Sequence, residues 1–203
     1  MIEPPERLPD RDKAIEAMLP NVPFDGWTRR ALRRGLADSG ISPDDAGLLF
    51  PGGAADMNEA FCDLADRRME ADAASVAETA LPDRVRAVIV GRLTRNRPNK
   101  EAIRRAIAVL AMPQNARLAA RCTARTVDAI WHAAGDETAD FTWYTKRLLL
   151  IAVYSATVLF WLRDSSDDDA ATLAFLDRRL AGIGRTHRWR RQAEAMLGRL
   201  RPA

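Results

Sequence analysis

Apolar residues recur every three or four positions along most of the chain, with charged residues between them. The segments DKAIEAMLPNV and GWTRRALRRGLADSG each place their apolar side chains on one stripe, and Gly40 ends the second segment. This period of about 3.6 residues predicts amphipathic helices. A third, short helix is predicted next, because Ser42 suits an N-cap and Pro43 suits the first helical position.

The same periodicity continues through longer segments that prolines separate. A helix is predicted from Asp56, and Pro82, Pro98 and Pro113 each interrupt the pattern before it starts again. A strongly apolar segment, FTWYTKRLLLIAVYSATVLFWLRD, precedes the turn SSDDD and the amphipathic segment AATLAFLDRRLAGIG. No strand pattern of useful length occurs, so the sequence predicts an all-α protein.

These patterns divide the chain into four predicted parts. Residues 1–11 are rich in proline and charge, which predicts a disordered arm. Residues 12–55 form a three-helix head with the layout of a helix-turn-helix domain, and residues 56–183 form a larger helical body. Residues 184–203 form a basic amphipathic tail helix.

The most apolar helix of the predicted body has two interpretations. Between Leu148 and Leu162 every residue except Ser155 and Thr157 is apolar, on all faces of the helix. Such a helix either lies at the centre of a core or lines an apolar cavity. Its length of about 22 Å, at about 1.5 Å per residue, is short of a bilayer core. In the second interpretation the cavity holds a lipid, with contacts from Leu150, Ile151, Tyr154, Val158 and Trp161.

The distribution of charge is more informative than the net charge of +3 over 203 residues. Residues 184–203 hold six arginines against one glutamate, while the rest holds 25 basic against 27 acidic residues. A Trp and Leu face opposite arginines is typical of a helix that lies in a membrane interface. The alternatives are a helix packed on its own domain and a nucleic-acid-binding tail. The predicted membrane contacts are Arg188, Trp189, Arg190, Arg191, Met196, Leu197 and Leu200.

The residues that carry catalysis or metal binding occur in no recognisable arrangement. Cys62 and Cys122 are distant in sequence and form no CxxC, which indicates neither a zinc site nor a disulfide framework. His132 and His187 lie in no ligand spacing, so neither an enzyme nor a metal site is predicted. The start, MIEPPERLPDRDK, lacks the apolar core of a signal peptide. We therefore expect a cytoplasmic protein, at most peripheral to a membrane.

The head resembles that of TetR-like regulators, in the segment GWTRRALRRGLADSGISPDDAGLLFPGGAADMNEAF. There Gly40 makes the turn, and Phe50 with the next proline closes the head onto the body. The helix that reads DNA in such domains begins here with Pro43, Asp44 and Asp45. These residues offer two repelling charges to phosphates and no side chain that reads bases. We therefore expect no nucleic-acid binding.

Two longer segments carry a more specific resemblance. WHAAGDETADFTWYTKRLLLIAVYSATVLFWLRDSSDD and GWTRRALRRGLADSGISPDDAGLLFPGGAADM are similar to the ubiquinone biosynthesis accessory protein family, coenzyme Q biosynthesis protein nine. That family has a TetR-like fold that has lost DNA binding. The resemblance implies a homodimeric, non-catalytic protein without a cofactor, which binds an isoprenoid quinone precursor or a phospholipid in its helical body.

The resemblance also implies a partner. Family members associate with the di-iron hydroxylase that acts on demethoxyubiquinone, through a surface around DFTWYTKR. Mitochondrial members carry a targeting segment that this sequence lacks, which suggests a bacterial version, peripheral to the inner membrane, with an equivalent hydroxylase. The implied partner-binding residues are Asp128, Ile130, Asp140, Trp143, Tyr144 and Arg147. The competing hypotheses are a ligand-responsive TetR-like repressor and a scaffold without a ligand.

Overall fold

The structure is a computed structural model, which describes residues 4–76, 80–136 and 143–182, with the backbone alone at Trp143 and Tyr144. The described residues are helical and contain no β-strand. Contacts divide the chain into two compact units, Met1–Ala139 and Asp140–Ala203. The first unit contains α1 (Pro9–Met18), α2 (Val22–Asp25), α3 (Arg29–Asp38), α4 (Ala46–Leu49), α5 (Gly53–Ala73), α6 (Leu81–Asn96), α7 (Lys100–Leu110) and α8 (Ala116–Ala133). The second contains α9 (Trp143–Trp161) and α10 (170–182).

The helix boundaries coincide with prolines and glycines in the sequence. Pro82 lies in the first turn of α6, and Pro98 and Pro113 lie in short 3-10 turns that precede α7 and α8. Proline suits these positions because the first turn of a helix does not use its N–H groups. Gly40 has a φ of +71°, so the predicted turn between α3 and the next helix is confirmed.

The amino-terminal helices cross at very short range. A Cβ on Gly35 in α3 would lie 2.5 Å from the backbone carbonyl of Ala17 in α1, which no side chain can tolerate. Around this crossing Ile15, Met18 and Leu32 are fully buried. The absent side chain at position 35 therefore allows α1 and α3 to enclose a tightly packed apolar centre.

The predicted disordered arm is wrong where it meets the head. Helix α1 begins at Pro9, within the segment assigned to the arm, and Arg11 is only 5% exposed. The Arg11 guanidinium donates to the Leu49 carbonyl at 2.7 Å and to Asp56 at 2.5 Å, and it stacks 4.5 Å from the centre of the Phe50 ring. The charged residues of this segment suggested exposure to solvent, but Arg11 is buried because its guanidinium has partners inside the fold.

The predicted head does not form a separate core. Trp27 donates its indole N–H to the Ala102 carbonyl in α7 at 2.9 Å, and its ring lies 5.3 Å from that of Phe61 in α5. One cluster of buried apolar residues extends from α1 through α3 and α4 into α5 and α7. Head and most of the predicted body are therefore packed together within the first unit.

Helices α5 and α8 pack side by side in the same direction. Glu59 pairs with Arg121 at 3.3 Å, and one to two turns further along both helices Asp66 accepts the hydroxyl of Thr126 at 2.9 Å. Residue numbers rise together along the two helices, so each position on α5 lies near the position about 60 residues later on α8. This register positions the polar groups described below.

Candidate functional site

The short helix of the head presents an acidic and apolar surface. Ser42 accepts the N–H of Asp44 at 3.3 Å, so the predicted N-cap is confirmed, although the first turn is a 3-10 turn and α4 begins only at Ala46. Asp44 is exposed and Leu48 is 82% exposed. An exposed carboxylate repels phosphates, and a leucine forms no hydrogen bond with base edges.

The arginines next to this short helix are largely neutralised. Asp25 accepts both Arg30 at 3.4 Å and Arg34 at 2.8 Å, and Asp44 accepts Arg33 at 3.3 Å. The arginines of these pairs are exposed, so the pairs contribute little stability. They do reduce the positive potential that a DNA-binding surface needs.

The partner-binding residues predicted on α8 have different environments. Asp128 is half-exposed, whereas Ile130 has no exposed surface. The assignment of Ile130 to a contact surface is therefore wrong, because its side chain belongs to the core of the first unit. Helical periodicity on α8 explains this result, since Val127 and Ile130 are three positions apart and both are buried.

A buried polar cluster lies beside the core position of Ile130 on α8, and no local pattern in the sequence predicted it. Asp66 in α5 forms an ion pair with Arg92 in α6 at 2.7 Å and accepts the Thr126 hydroxyl from α8. All three residues are at most 8% exposed. Burial raises the pKa of Asp66, against the charge of Arg92 and the Thr126 hydrogen bond, which lower it. The cluster joins three helices at one point.

The two cysteines, which are distant in sequence, meet in the same helix interface. Cys62 in α5 and Cys122 in α8 lie close enough to shift each other's pKa, which is raised for Cys62 and lowered for Cys122. Both are free thiols, and Cys62 is partly exposed while Cys122 is buried. The sequence argument that separated them considered only local spacing, whereas the α5–α8 register brings them together.

The partner-binding residues predicted around DFTWYTKR are only partly described. Asp140 lies outside the described residues. Trp143 and Tyr144 form the first turn of α9, where only their backbone is described, and Arg147 is half-exposed one turn later. The prediction of an exposed aromatic pair at this helix start stays a prediction.

The predicted lipid contacts on α9 divide into two groups. Leu150 and Trp161 are buried, at 2% and 1% exposure, and Ile151, Tyr154 and Val158 are half-buried. Thr157 is also buried and donates its hydroxyl to the Val153 carbonyl at 2.7 Å. Burial of one stripe along the helix, from Leu150 to Trp161, is compatible with a core helix and with a cavity wall, so the two interpretations of this segment stay open.

Helix α9 is not enclosed on all faces, which corrects the expectation from its composition. Leu148 and Leu159 are 66% and 55% exposed, and the neighbouring Leu149 and Phe160 are also partly exposed. These four residues, three turns apart in two adjacent pairs, lie on one side of the helix. We call them the α9 apolar face. A contiguous exposed face of this kind is typical of a binding surface.

The DSSDD segment after α9 forms a hydrogen-bonded cap on α10. The Asp164 carboxylate accepts the N–H and hydroxyl of Ser166, at 2.9 and 2.7 Å, and those of Thr172, at 2.8 and 2.6 Å. Desolvation raises the pKa of Asp164, but the four hydrogen bonds outweigh it and hold the pKa well below its usual range. This motif therefore has a structural role.

A pocket of about 490 Å³ lies at the junction of α9 and this cap. None of the five predicted lipid contacts lines it; its lining residues are Phe160, Arg163, Asp164, Ser165 and Ser166. Beside it the rings of Phe160 and Phe175 stack at 4.6 Å, with the Arg179 guanidinium 4.8 Å from the Phe175 ring. The pocket is open to solvent, and four of its five lining residues are polar or charged, which differs from an enclosed cavity for a lipid tail.

Three further predictions concern residues or sites that the structure addresses only in part. The predicted membrane contacts of the tail, from Arg188 to Leu200, lie outside the described residues. Within the part of the chain that is described, no three His, Cys, Asp or Glu side chains are placed to hold a metal ion. Within that same part, no helix is long and apolar enough to cross a membrane.

The fold defines the class of the protein. It superimposes on the crystal structure of the TetR transcriptional regulator from Nitrosomonas europaea ATCC 19718 with a TM-score of 0.67, over 86% of this chain and 97% of that chain, at 23% identity. The predicted all-α, TetR-like fold is therefore confirmed. At this identity the likeness establishes the fold alone.

Sequence comparison then identifies the family. The COQ9 family model matches residues 116–187. The chain is 31% identical to the mitochondrial ubiquinone biosynthesis protein COQ9 of Rattus norvegicus over 176 residues, 83% of this chain and 56% of that protein. It is 34% identical to that of Schizosaccharomyces pombe over 169 residues, 82% of this chain and 66% of that protein. The chain belongs to the COQ9 family, and it spans little more than half the length of the rat protein.

Proposed function

We propose that this protein is a non-catalytic accessory protein of ubiquinone biosynthesis. It binds an isoprenoid quinone precursor or a phospholipid and presents the quinone precursor to a hydroxylase at the membrane. The observation that carries the proposal is the likeness to proteins named for ubiquinone biosynthesis over more than four fifths of the chain. The proposed location is the cytoplasmic side of a bacterial inner membrane.

The physical need for such a protein follows from the substrate. A quinone with a long isoprenoid tail lies in the bilayer, because each buried CH₂ group contributes about 0.8 kcal/mol to its retention there. A soluble hydroxylase reaches the ring only if the lipid is partly withdrawn. A helical protein with an apolar site and a basic, amphipathic tail supplies both an acceptor for the lipid and an attachment to anionic headgroups.

The proposed hydroxylase contacts in the second unit are Asp140, Trp143, Tyr144 and Arg147. Asp128 on α8 is a separate proposed contact in the first unit. Trp, Tyr and Arg are the residues that most often dominate the binding energy of protein interfaces. Ile130 is excluded from this surface by its burial. The expected partner is the di-iron demethoxyubiquinone hydroxylase or its bacterial equivalent.

The α9 apolar face supports a homodimer. Leu148 and Leu159 expose apolar surface along most of α9, and α10 has small exposed residues of its own, including Ala170 and Ala174. Small and apolar side chains allow helices of two copies to pack closely. We propose a second copy of this chain as the occupant of the face.

Lipid extraction tests the carrier proposal. The protein is purified without detergent, and the lipids that stay bound are identified by mass spectrometry. A stoichiometric isoprenoid quinone precursor or phospholipid is the expected result. A protein that carries no lipid, and acquires none from vesicles containing a ubiquinone precursor, would indicate the scaffold instead.

The hydroxylase contact is tested with Trp143→Asp. We expect loss of binding to the purified hydroxylase with an unchanged melting temperature, because a surface side chain contributes little to the core. Trp161→Asp is the matched control, since Trp161 is 1% exposed and a buried charge should lower the melting temperature strongly. If Trp143→Asp lowers it by several degrees as well, the side chain is part of the core.

A DNA-binding assay separates this proposal from a TetR-like repressor. Asp44 and Leu48 on the short helix predict only weak, non-specific binding to duplex DNA at physiological salt. Fluorescence anisotropy with genomic fragments upstream of the gene, over a range of salt concentrations, measures the affinity. Sequence-specific affinity in the nanomolar range would overturn the accessory-protein proposal.

A further inference from the structure

The pocket at the junction of α9 and α10 has the size and lining of a site for a small ring. Its volume of about 490 Å³ lies within the range of about 300–1,000 Å³ that is usual for small-molecule sites. The aromatic ring of Phe160 and the polar side chains of the following loop line it. None of the five lipid contacts predicted on α9 is among these lining residues, so the proposals above leave the pocket without a ligand.

Phe160 forms a fixed aromatic wall of the pocket. Its ring stacks on that of Phe175, with 4.6 Å between the ring centres and 10° between the ring planes, and the Arg179 guanidinium lies 4.8 Å from the Phe175 ring. Phe175 occupies one face of the Phe160 ring, so another part of that ring lines the pocket. An aromatic ligand can therefore pack on a surface that is already in place, at little cost in conformational entropy.

The polar part of the lining offers hydrogen-bond donors to a ligand. Arg163 and Ser165 are both exposed, so the guanidinium and the hydroxyl can donate. The Ser166 hydroxyl is already engaged, because it donates to Asp164 at 2.7 Å and accepts the Ala171 N–H at 3.1 Å. The Asp164 carboxylate also lines the pocket, and its hydrogen bonds hold its pKa well below the usual range. It is therefore ionised at neutral pH.

The charges of the lining favour a neutral ligand over an anion. The Arg163 guanidinium and the ionised Asp164 carboxylate cancel, so a phosphate or diphosphate group would meet repulsion as well as attraction. A neutral ring with several acceptor oxygens avoids this repulsion and can use the donors of both Arg163 and Ser165. Phe160 also belongs to the α9 apolar face, so an apolar chain attached to such a ring would leave the pocket beside apolar surface.

We propose that this pocket binds the ring of a benzoquinone lipid. The ring packs on Phe160, and its carbonyl and methoxy oxygens accept hydrogen bonds from Arg163 and Ser165. This inference rests on the proposed function, and it adds the part of the lipid that the protein recognises and the residues that recognise it. Because the pocket is open to solvent, the bound ring stays within reach of a second protein.

Binding of a soluble quinone to the full chain tests this inference. The probe is ubiquinone with a single isoprene unit, whose ring has no free position at which a cysteine thiol can add, and isothermal titration calorimetry measures its affinity. We expect Arg163→Met to weaken binding about tenfold or more, the usual effect of losing a hydrogen bond from a charged donor. Phe160→Leu keeps an apolar side chain without an aromatic ring and should weaken binding about threefold or more.

The same substitutions at two exposed positions outside the pocket provide matched controls. Arg178→Met on α10 and Phe24→Leu in the first unit should leave the affinity for the probe unchanged. Thermal melts followed by circular dichroism show whether each variant is folded. Arg163 is exposed, so Arg163→Met should melt like the wild type and keeps the test valid even if Phe160→Leu is destabilised by the loss of ring stacking. Wild-type affinity in both pocket variants would overturn the inference.

A second probe distinguishes a quinone site from an anion site. Dimethylallyl diphosphate carries the same single isoprene unit on an anionic head, and we expect it not to displace the quinone at equal concentration. Displacement that Arg163→Met abolishes would overturn the inference, because the pocket would then take an anion. A wild-type chain that binds no quinone probe would also overturn it. In that case a precursor found by lipid extraction would leave the carrier proposal standing, whereas the absence of any bound lipid would contradict both.

Discussion

Trp27 and Ala102 are joined by a hydrogen bond of 2.9 Å between the indole N–H and a backbone carbonyl 75 positions away. Both residues are buried, so neither group can exchange its partner for water. This bond links the amino-terminal helices to α7, and it is one reason why the predicted head is not an independent unit.

The contribution of the Trp27–Ala102 hydrogen bond to stability should be measurable with Trp27→Phe. The phenyl ring keeps most of the apolar contact with Phe61 but leaves the Ala102 carbonyl without its donor. We expect the free energy of unfolding to fall by about 1–3 kcal/mol, as for other buried groups that lose a partner. Urea denaturation followed by circular dichroism gives the value. Phe24→Leu, at a position that is 81% exposed, is the control and should change little.

The buried Asp66–Arg92 pair predicts that removal of one charge strongly lowers the stability. Removal of the second charge as well should restore part of it. Asp66→Asn removes the charge that faces Arg92, and we expect a loss of about 3–5 kcal/mol because an unpaired charge stays buried. In Asp66→Asn with Arg92→Met no charge is left, and much of the stability should return. Equal destabilisation in the single and double variants would mean that the ion pair itself is not the cause.

The cap formed by Asp164 predicts a pH-dependent contribution to stability. The pKa of Asp164 is lower in the folded protein than the value of about 3.9 in the unfolded chain. As the pH falls, the unfolded chain therefore takes up the proton first, and the folded state loses stability relative to it. The contribution is therefore complete above about pH 5 and decreases as the pH falls towards the folded pKa.

Comparison of Asp164→Asn with the wild-type chain measures this contribution. At pH 7 we expect the variant to be less stable by about 1–2 kcal/mol, the range for loss of a helix cap. Towards pH 2 the two proteins should converge. Asp167→Asn changes an exposed neighbour in the same acidic loop and should show neither effect. A difference between wild type and Asp164→Asn that does not depend on pH would contradict the titration of this group.

The α9 apolar face predicts the oligomeric state. If a second copy covers it, Leu148→Glu with Leu159→Glu should produce a monomer, because charge in a packed apolar interface is strongly unfavourable. Sedimentation equilibrium measures the mass. Leu48→Glu introduces the same charge at a more exposed leucine of the first unit and should leave the mass unchanged. A wild-type chain that is monomeric at micromolar concentration would exclude the proposed dimer.

The basic tail predicts a salt-sensitive membrane interaction. Deletion of residues 185–203 removes all six arginines of the tail and its Trp and Leu side chains. We expect the wild-type chain to float with vesicles that contain anionic lipid, and the deletion variant to stay at the bottom of the gradient. Vesicles of neutral lipid serve as the control. Equal flotation of both proteins would place the membrane contact elsewhere.

Local signals in the sequence were sufficient for most of the helices. The turn at Gly40, the cap at Ser42 and the interruptions at Pro98 and Pro113 depend on the conformational preferences of single residues, which need no knowledge of the fold. The TetR-like arrangement of these helices was also accessible, because the resemblance covers the head and most of the body.

The sequence was less informative where a residue's environment depends on distant partners. Arg11 is charged and lies in a proline-rich segment, yet it is buried because Leu49, Phe50 and Asp56 surround its guanidinium. The proximity of Cys62 and Cys122 depends on the register of two helices about 60 positions apart, which no local spacing expresses.

Position 35 shows which part of the head can change and which cannot. A methyl group there would collide with the backbone of Ala17, so every replacement must separate two helices, whatever the outer surface binds. Natural selection can therefore exchange the outward side chains of the head, such as Asp44 and Leu48, while the glycine is retained. A fold with this constraint can be retained when the ligand changes. A glycine at this crossing should therefore occur in distant relatives even when their surface residues differ.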